Sequence, residues 1–228
     1  MKKTLFVVLA IVLCVGMTAI AMAGVSNTPH DPRINPGIGA THVCESCHTP
    51  HNAGTYPLWN RNRDHSATVF TIYASPTQDM PTSSTDLGYQ SRLCFACHDG
   101  QLATITNAPG ADLVGDYDIQ IIAADKILDT TLNNDHPVGF VFNASQDQGG
   151  SGLNGLSVVN SKIAVANVAN FPLFTVGANT NTFQCATCHT VHHTPDDAYN
   201  PTTANEVYFL RISNAGSAMC AACHPNFY

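Results

Sequence analysis

The sequence predicts a fold that is mostly coil, with short helices and few short strands, and three observations support this prediction. Gly, Pro, Asn, Thr and Ser are spread through the chain and give turn signals at 35–37, 75–77 and 148–152. Long periodic apolar segments are scarce. The pentapeptide Cys-x-x-Cys-His occurs four times. We therefore expect the chain to be organised around what these pentapeptides bind.

Each pentapeptide is the attachment signature of a c-type haem, in which two thiols form thioether bonds and the histidine is the proximal iron ligand. Two zinc sites or a set of disulfides are the alternatives, but neither explains why a histidine follows every cysteine pair. The sequence therefore predicts four covalently bound c-type haems. The attachment residues are Cys44 and Cys47, Cys94 and Cys97, Cys185 and Cys188, and Cys220 and Cys223, and the proximal ligands are His48, His98, His189 and His224.

With about one haem per fifty residues, macrocycles supply much of the apolar interior, so we expect helices of one to three turns around the attachment motifs. Short strands are predicted only between the second and third motifs, at Leu113 to Ile122 and Val138 to Phe142. Gln146 to Asn154 is predicted to be an exposed loop. Because each haem would bridge distant segments, residues 24–228 are predicted to form a single tetrahaem cytochrome domain.

Residues 1–23 have the pattern of a secretory signal peptide that is cleaved. Lys2 and Lys3 are followed by a largely apolar run and by Ala21-Met22-Ala23, a small-x-small cleavage site. A lipoprotein anchor at Cys14 is the alternative, although Leu13 occupies a position where a small residue is needed. No later stretch approaches the roughly 18 apolar residues of a membrane span. The domain is therefore predicted to be exported, to the cell surface or extracellular space, with the periplasm as the alternative.

The charge of the exported domain restricts its partners. Without Lys2 and Lys3 it has seven basic and sixteen acidic side chains, a formal charge of −9. Two propionates on each haem would add negative charge. Nucleic acid and anionic membrane surfaces are therefore not expected partners. Cationic redox proteins, metal ions and oxidised mineral surfaces are.

The sixth ligand of each iron decides the chemistry, because an iron with two protein ligands transfers electrons whereas an open iron binds substrate. Outside the motifs the exported domain has seven histidines but only two methionines, Met80 and Met219. Met219 adjoins Cys220, on the wrong side of the fourth haem. The array is therefore predicted to be predominantly bis-histidine, with low potentials and no enzymatic activity.

The distal ligand candidates are His30, His51, His136 and His192, with His193, His42 and His65 in reserve. His51 and His192 each follow a proximal histidine by three residues, and so short a segment cannot wrap round the porphyrin edge to the same iron. If they are ligands, they bind other haems, and one segment then holds two haems close together. His136 is followed by a proline that stiffens its presentation, and His30 lies near the predicted mature terminus.

Several strings resemble those of the doubled-motif multihaem cytochromes, and the likeness covers nearly all of residues 24–228. The strings are Pro29-His30-Asp31, Cys47-His48-Thr49-Pro50-His51-Asn52, Pro57-Leu58-Trp59-Asn60-Arg61, Cys97-His98-Asp99-Gly100 and Asp135-His136-Pro137-Val138-Gly139-Phe140. The resemblance implies assembly into head-to-tail extracellular filaments with a continuous haem stack. By the same resemblance His51 would be the intersubunit ligand. The surplus of histidines over irons leaves the pairing open.

Three functions follow from these observations. The first is a polymerising conduit that carries respiratory electrons from redox protein donors to extracellular metal or mineral acceptors. The second is a monomeric tetrahaem shuttle. The third is a multihaem reductase with one open haem, which the surplus histidines and the absence of a Cys-x-x-Cys-Lys motif disfavour. We expect six aromatic residues to pack against porphyrin faces and the interface, namely Tyr56, Trp59, Phe70, Tyr73, Tyr89 and Phe95. Four arginines either pair with propionates or are exposed to solvent, namely Arg61, Arg63, Arg92 and Arg211.

Overall fold

The three described helices are short, and each contains part or all of an attachment motif. The computed structural model describes residues 25–26, 28–34, 42–44, 47–49, 58–60, 68–76, 78–100, 127–143, 146, 157–159, 162–164, 171–192 and 209–224. Helix α1 spans Tyr89–His98, α2 Cys185–Cys188 and α3 Ala218–Cys223. Short 3-10 turns at Ser84–Asp86 and Ala215–Ser217 precede α1 and α3. No helix in these ranges is both long and apolar enough to cross a bilayer.

Seven of the eight described strands lie between the second and third motifs, the interval in which strands were predicted. Strand β3 falls within the predicted segment Val138 to Phe142. The other predicted strand, 113–122, lies outside the described residues, as does most of the predicted loop at 146–154. The strands are β1 Thr71–Ile72, β2 Thr131–Leu132, β3 Phe140–Val141, β4 Ser157–Val159, β5 Lys162–Ala164, β6 Phe171–Pro172, β7 Phe174–Val176 and β8 Asn179–Phe183.

The strands form three small sheets. Strands β1 and β2 pair in parallel, whereas β3, β8 and β7 form one antiparallel sheet and β4, β5 and β6 another. Gly139, just before β3, has a φ of 72°, and a Cβ there would lie 2.8 Å from the Ser83 carbonyl oxygen. Only glycine fits this position. The close approach fixes β3 against the turn that leads into α1.

Two clusters of apolar side chains form the described core. The larger cluster combines residues of the antiparallel sheets with residues of the connecting segments. It contains Phe140, Ile163, Phe171 and Phe183 from strands, and Met80, Phe142 and Leu173 from outside them. The Met80 sulfur accepts a hydrogen bond from the Asn143 N–H at 3.2 Å, and Met219 packs against the same cluster. Met80 and Met219 are therefore both part of the core packing.

The smaller cluster surrounds the second motif and consists of Phe70, Leu87, Phe95 and Leu132. Phe70 and Phe95 contact each other, with centroids 4.5 Å apart. Both are buried, and Phe95 lies on the buried face of α1. Their packing on a porphyrin or at an interface stays a prediction.

The Arg92 guanidinium hydrogen-bonds to the protein backbone, and its pairing with a propionate stays a prediction. It donates to the carbonyl oxygens of Leu87 (2.7 Å), Thr68 (3.0 Å) and Ser84 (2.9 Å), and it lies over the Phe70 ring. Arg211 likewise donates from Nε to the Ala186 carbonyl at 3.0 Å. Arg92 therefore joins segments around the second motif, and Arg211 joins its own segment to the third motif.

Candidate functional site

One helical hydrogen bond recurs in the attachment motifs. The backbone N–H of the motif histidine donates to the carbonyl of the first motif cysteine, at 2.9 Å for His48, 3.0 Å for His189 and 2.8 Å for His224. His98 is the last residue of α1, so its motif is helical throughout. Residues three and four apart share one helix face, so each turn puts two thiols and an imidazole on one side. All eight motif cysteines are free thiols, with no disulfide among them.

Three proximal histidines lie opposite three of the predicted distal ligands. The ring centroids are 6.1 Å apart for His30 and His98, 5.8 Å for His48 and His192, and 6.4 Å for His136 and His224. With metal–nitrogen bonds of about 2.0–2.1 Å and a ring radius of about 1.1 Å, two imidazoles on opposite sides of one metal have centroids about 6 Å apart. The three separations therefore fit axial ligand pairs of haem irons.

The protonation of His136 also fits ligation. Its Nδ1 lies 2.9 Å from the Pro137 carbonyl oxygen, and because a carbonyl only accepts, Nδ1 carries the proton. Nε2 then has the free lone pair that a metal requires. Burial lowers the pKa of His136, the Pro137 carbonyl opposes that shift, and the nearby His224 adds to it. The ring also stacks on Phe183 at 5.6 Å.

His30 is fixed by contacts on both sides of its short turn. The ring stacks on Phe209, with centroids 4.5 Å apart and planes inclined by 17°. The next residue, Asp31, is fully buried and accepts from the Arg33 guanidinium at 2.9 and 2.7 Å. The ring keeps an exposed edge, yet burial first, and then the imidazoles of His98 and His189, lower the pKa of His30 to about 4. At neutral pH it is the uncharged base that binds a metal.

The first proximal site is bounded by aromatic and imidazole rings. Burial and then the proximity of His48 lower the pKa of His192. Trp59 meets His48 edge to face at 6.3 Å, and its indole N–H is buried without a hydrogen-bond acceptor among the described residues. A buried donor of this kind fits a carboxylate of a bound group, since buried N–H groups are ordinarily paired.

His189 belongs to none of the three ring pairs found within the described ranges. Burial lowers its pKa first, followed by the positive charges of His98 and Arg211. The predicted ligand His51 lies outside the described residues, as do His65 and His193. His42 is exposed and takes part in none of the three pairs.

The first and third motifs are followed by the same kind of backbone bridge. His48 pairs with Trp59 and His189 with Leu210, both in antiparallel fashion. The bridges are closed by hydrogen bonds from Thr49 N–H to Leu58 O (2.9 Å), Asn60 N–H to Cys47 O (2.8 Å), Thr190 N–H to Phe209 O (2.7 Å) and Arg211 N–H to Cys188 O (2.9 Å). Leu58 and Phe209 also share a positive φ, 66° and 67°.

Attachment residues of different motifs contact one another. The Cys94 thiol donates to the Gln90 carbonyl oxygen at 3.9 Å, and its interaction with Cys185 raises the pKa of Cys94 and lowers that of Cys185. Burial, and then the neighbouring Cys223, raise the pKa of Cys188 to about 12. The second and third motifs therefore adjoin, as do the third and fourth.

Sequence reasoning did not identify the aromatic rings that flank the distal candidates. Phe209 on His30 and Phe183 on His136 come from remote segments, and no local pattern marks them. Within the described ranges, no group of three or more His, Cys, Asp or Glu side chains is placed to hold a metal ion. A pair of imidazoles contains only two such side chains, so it is compatible with this absence.

No protein-family model matches the chain, and a search of curated proteins found no match either.

Proposed function

We propose that this protein transfers electrons outside the cell through four c-type haems with bis-histidine ligation. The observation that supports the proposal is the set of three imidazole pairs, His30 with His98, His48 with His192 and His136 with His224, at separations of 5.8–6.4 Å. Each pair joins the histidine of an attachment motif to a histidine far away in sequence. Packing of apolar side chains does not require two imidazoles to lie together, whereas binding of one iron by both imidazoles would.

Bound haem would supply a one-electron iron couple. The motif cysteines would hold the porphyrin covalently, and the paired imidazoles would close both axial positions, which excludes substrate from the iron. Neutral imidazoles are needed for this, in keeping with the lowered pKa values of His30, His136 and His192. Electron transfer without bond chemistry is the reaction such a ligand set performs.

The arrangement favours short distances between neighbouring haems. His189 and His192 belong to one segment, but His192 lies opposite His48 of the first motif. This segment would therefore ligate two irons. The contacts of Cys94 with Cys185 and of Cys188 with Cys223 place further attachment points side by side. Each haem would then have a near neighbour to which an electron can pass.

We further propose that subunits polymerise head to tail. His189 lies outside the three pairs in the described ranges, and part of its surface is exposed. An iron bound there would be open to a ligand from a neighbouring subunit. His51 is the proposed ligand. Such a heterologous contact does not close on itself and yields an open helical filament. The donors would be exported redox proteins, and the acceptors extracellular metal ions or minerals.

Mass spectrometry and absorption spectroscopy of native protein test the electron-transfer proposal. We expect the mass of residues 24–228 plus four haems, low-spin spectra, and almost no spectral change when carbon monoxide is added to the reduced protein. A mass equal to the bare polypeptide would contradict the proposal. Carbon monoxide binding to one haem per subunit would instead favour the reductase, with the open iron at His189.

Negative-stain microscopy separates the filament from the monomeric shuttle. Filaments of micrometre length are expected for the native protein at neutral pH. Dispersed particles of subunit size would favour the shuttle without affecting the haem assignment.

A further inference from the structure

Gln184 lies between the second and third attachment motifs and is completely buried. It directly precedes Cys185 and forms the N-cap of α2. A buried amide must find partners for its carbonyl oxygen and for both N–H groups, because unpaired buried polar groups are costly. Gln184 meets this requirement mainly with groups at the start of α1.

The side-chain oxygen of Gln184 accepts two hydrogen bonds at the start of α1. The Gly88 N–H donates to Oε1 at 3.0 Å, and the Ser91 hydroxyl donates to the same atom at 2.7 Å. The Ser91 oxygen in turn accepts from the backbone N–H of Cys185 at 3.0 Å. A closed network therefore joins the first turn of α1 to the first residue of the third motif.

The side-chain nitrogen of Gln184 donates two hydrogen bonds. Nε2 lies 2.6 Å from the Asp86 carbonyl oxygen and 3.1 Å from the Thr182 hydroxyl. Gln184 therefore uses two acceptor positions and two donors, which no hydrophobic residue and no carboxylate reproduces. Glutamate would keep the acceptors but lose both donors.

The network has a consequence at the motifs themselves. With the starts of α1 and α2 locked together, the Cys94 thiol reaches Cys185, and His98 is near enough to His189 to influence its charge. Both attachment points belong to the helices that Gln184 joins. Their relative position thus depends on one buried amide and one buried hydroxyl.

We propose that Gln184, together with Ser91, is a positioning residue that sets the separation and relative orientation of the second and third haems. This inference rests on the proposed function, because it assumes haems at both motifs. Gln184 touches neither iron nor a motif imidazole by any of these contacts. It acts through the two helices, and the property it controls is the coupling between two neighbouring redox centres.

The test compares Gln184→Leu with Asn179→Ala in the full-length holoprotein. Asn179 is a matched control, because its amide donates to the Asp86 carboxylate at 2.7 Å but is exposed and reaches neither motif. Haem content is measured by mass and ligation by carbon monoxide binding. Haem–haem coupling is measured by circular dichroism in the Soret region and by the separation of reduction steps in a redox titration.

We expect Gln184→Leu to keep four haems and bis-histidine spectra while its Soret dichroism and the spacing of two reduction steps change. Asn179→Ala should superimpose on the wild type in both. If Gln184→Leu loses haem, Ser91→Ala replaces it, since that change removes only the hydroxyl between Gln184 and Cys185. A fully haem-loaded variant whose dichroism and titration match the wild type overturns the positioning role alone. Wild-type protein without four haems overturns the proposed function as well.

Discussion

The imidazoles of His48 and His192 lie close together, with centroids 5.8 Å apart and planes inclined by 24°. His192 follows the proximal ligand of the third motif by three residues, whereas His48 belongs to the first motif. The segment from His189 to His192 thus reaches two candidate iron sites at once. So short a segment limits the distance between those two sites.

Replacing His192 by alanine should open one iron per subunit. The reduced variant is then expected to bind about one carbon monoxide for its four motifs, because an iron without a sixth ligand accepts a diatomic molecule. The measurement is a carbon monoxide titration followed in the Soret band. His193→Ala is the matched control and should bind almost none. Equal binding by the two variants would refute the pairing of His192 with His48.

Replacing His136 by methionine should raise the potential of one reduction step and leave the other three nearly unchanged. A thioether in place of an imidazole stabilises the reduced iron, and His136 lies opposite His224 alone among the proximal histidines of the described ranges. Spectroelectrochemical titration measures this change. The wild-type set of four potentials in a variant with four haems would show that His136 is not a ligand.

The local parts of the candidate site could be predicted from sequence, because each attachment motif is five consecutive residues with a fixed chemical role. Local patterns and the number of predicted irons also pointed to His30, His136 and His192, each of which lies near a motif histidine. Their pairing was not predictable. His30 and His98, for example, are brought together by turns, and no spacing rule connects them.

The fold was predictable only in outline. Turn residues and scarce periodicity indicated short elements, and strands were placed in the correct interval. The parallel pairing of β1 with β2, by contrast, joins two-residue strands that carry no periodic signal. Phe209 adopts a φ of 67° without being glycine, so no turn motif marks the bridge to which it belongs. Phe95 lies within the second motif, and its side chain packs in the smaller apolar cluster, with partners that no local pattern identifies.

Acid should release His30 only at low pH. Its pKa of about 4 in the folded protein is below the ordinary 6.5, so the unfolded chain binds more protons between these values. The contribution of His30 to stability is therefore present above pH 6.5 and is lost as the pH falls to about 4. The low-spin spectrum of the wild type should persist at pH 5. The control variant His42→Ala should give the same result. Conversion of one haem to high spin between pH 6 and 7 would contradict this assignment.

Replacing Arg92 by methionine should destabilise the protein by about 2 kcal/mol, because charged hydrogen bonds to three backbone carbonyls are lost while the apolar stem is kept. Its partners are the carbonyls of Leu87, Thr68 and Ser84. Denaturant unfolding followed by far-ultraviolet dichroism measures the change. If Arg92 paired with a propionate instead, the variant would alter a haem potential rather than the unfolding midpoint.

Replacing His51 by alanine should abolish filaments and leave the subunit intact. Loss of the proposed intersubunit bond removes one iron ligand per subunit. The variant should therefore retain four covalent haems and bind about one carbon monoxide for its four motifs. Light scattering and negative-stain microscopy measure assembly. His42→Ala, which alters an exposed histidine close to the first motif, is the control and should polymerise normally. Intact filaments of the His51 variant would assign the crossing ligand elsewhere. Dispersed subunits that bind no carbon monoxide would show that assembly depends on His51 through a contact other than iron ligation.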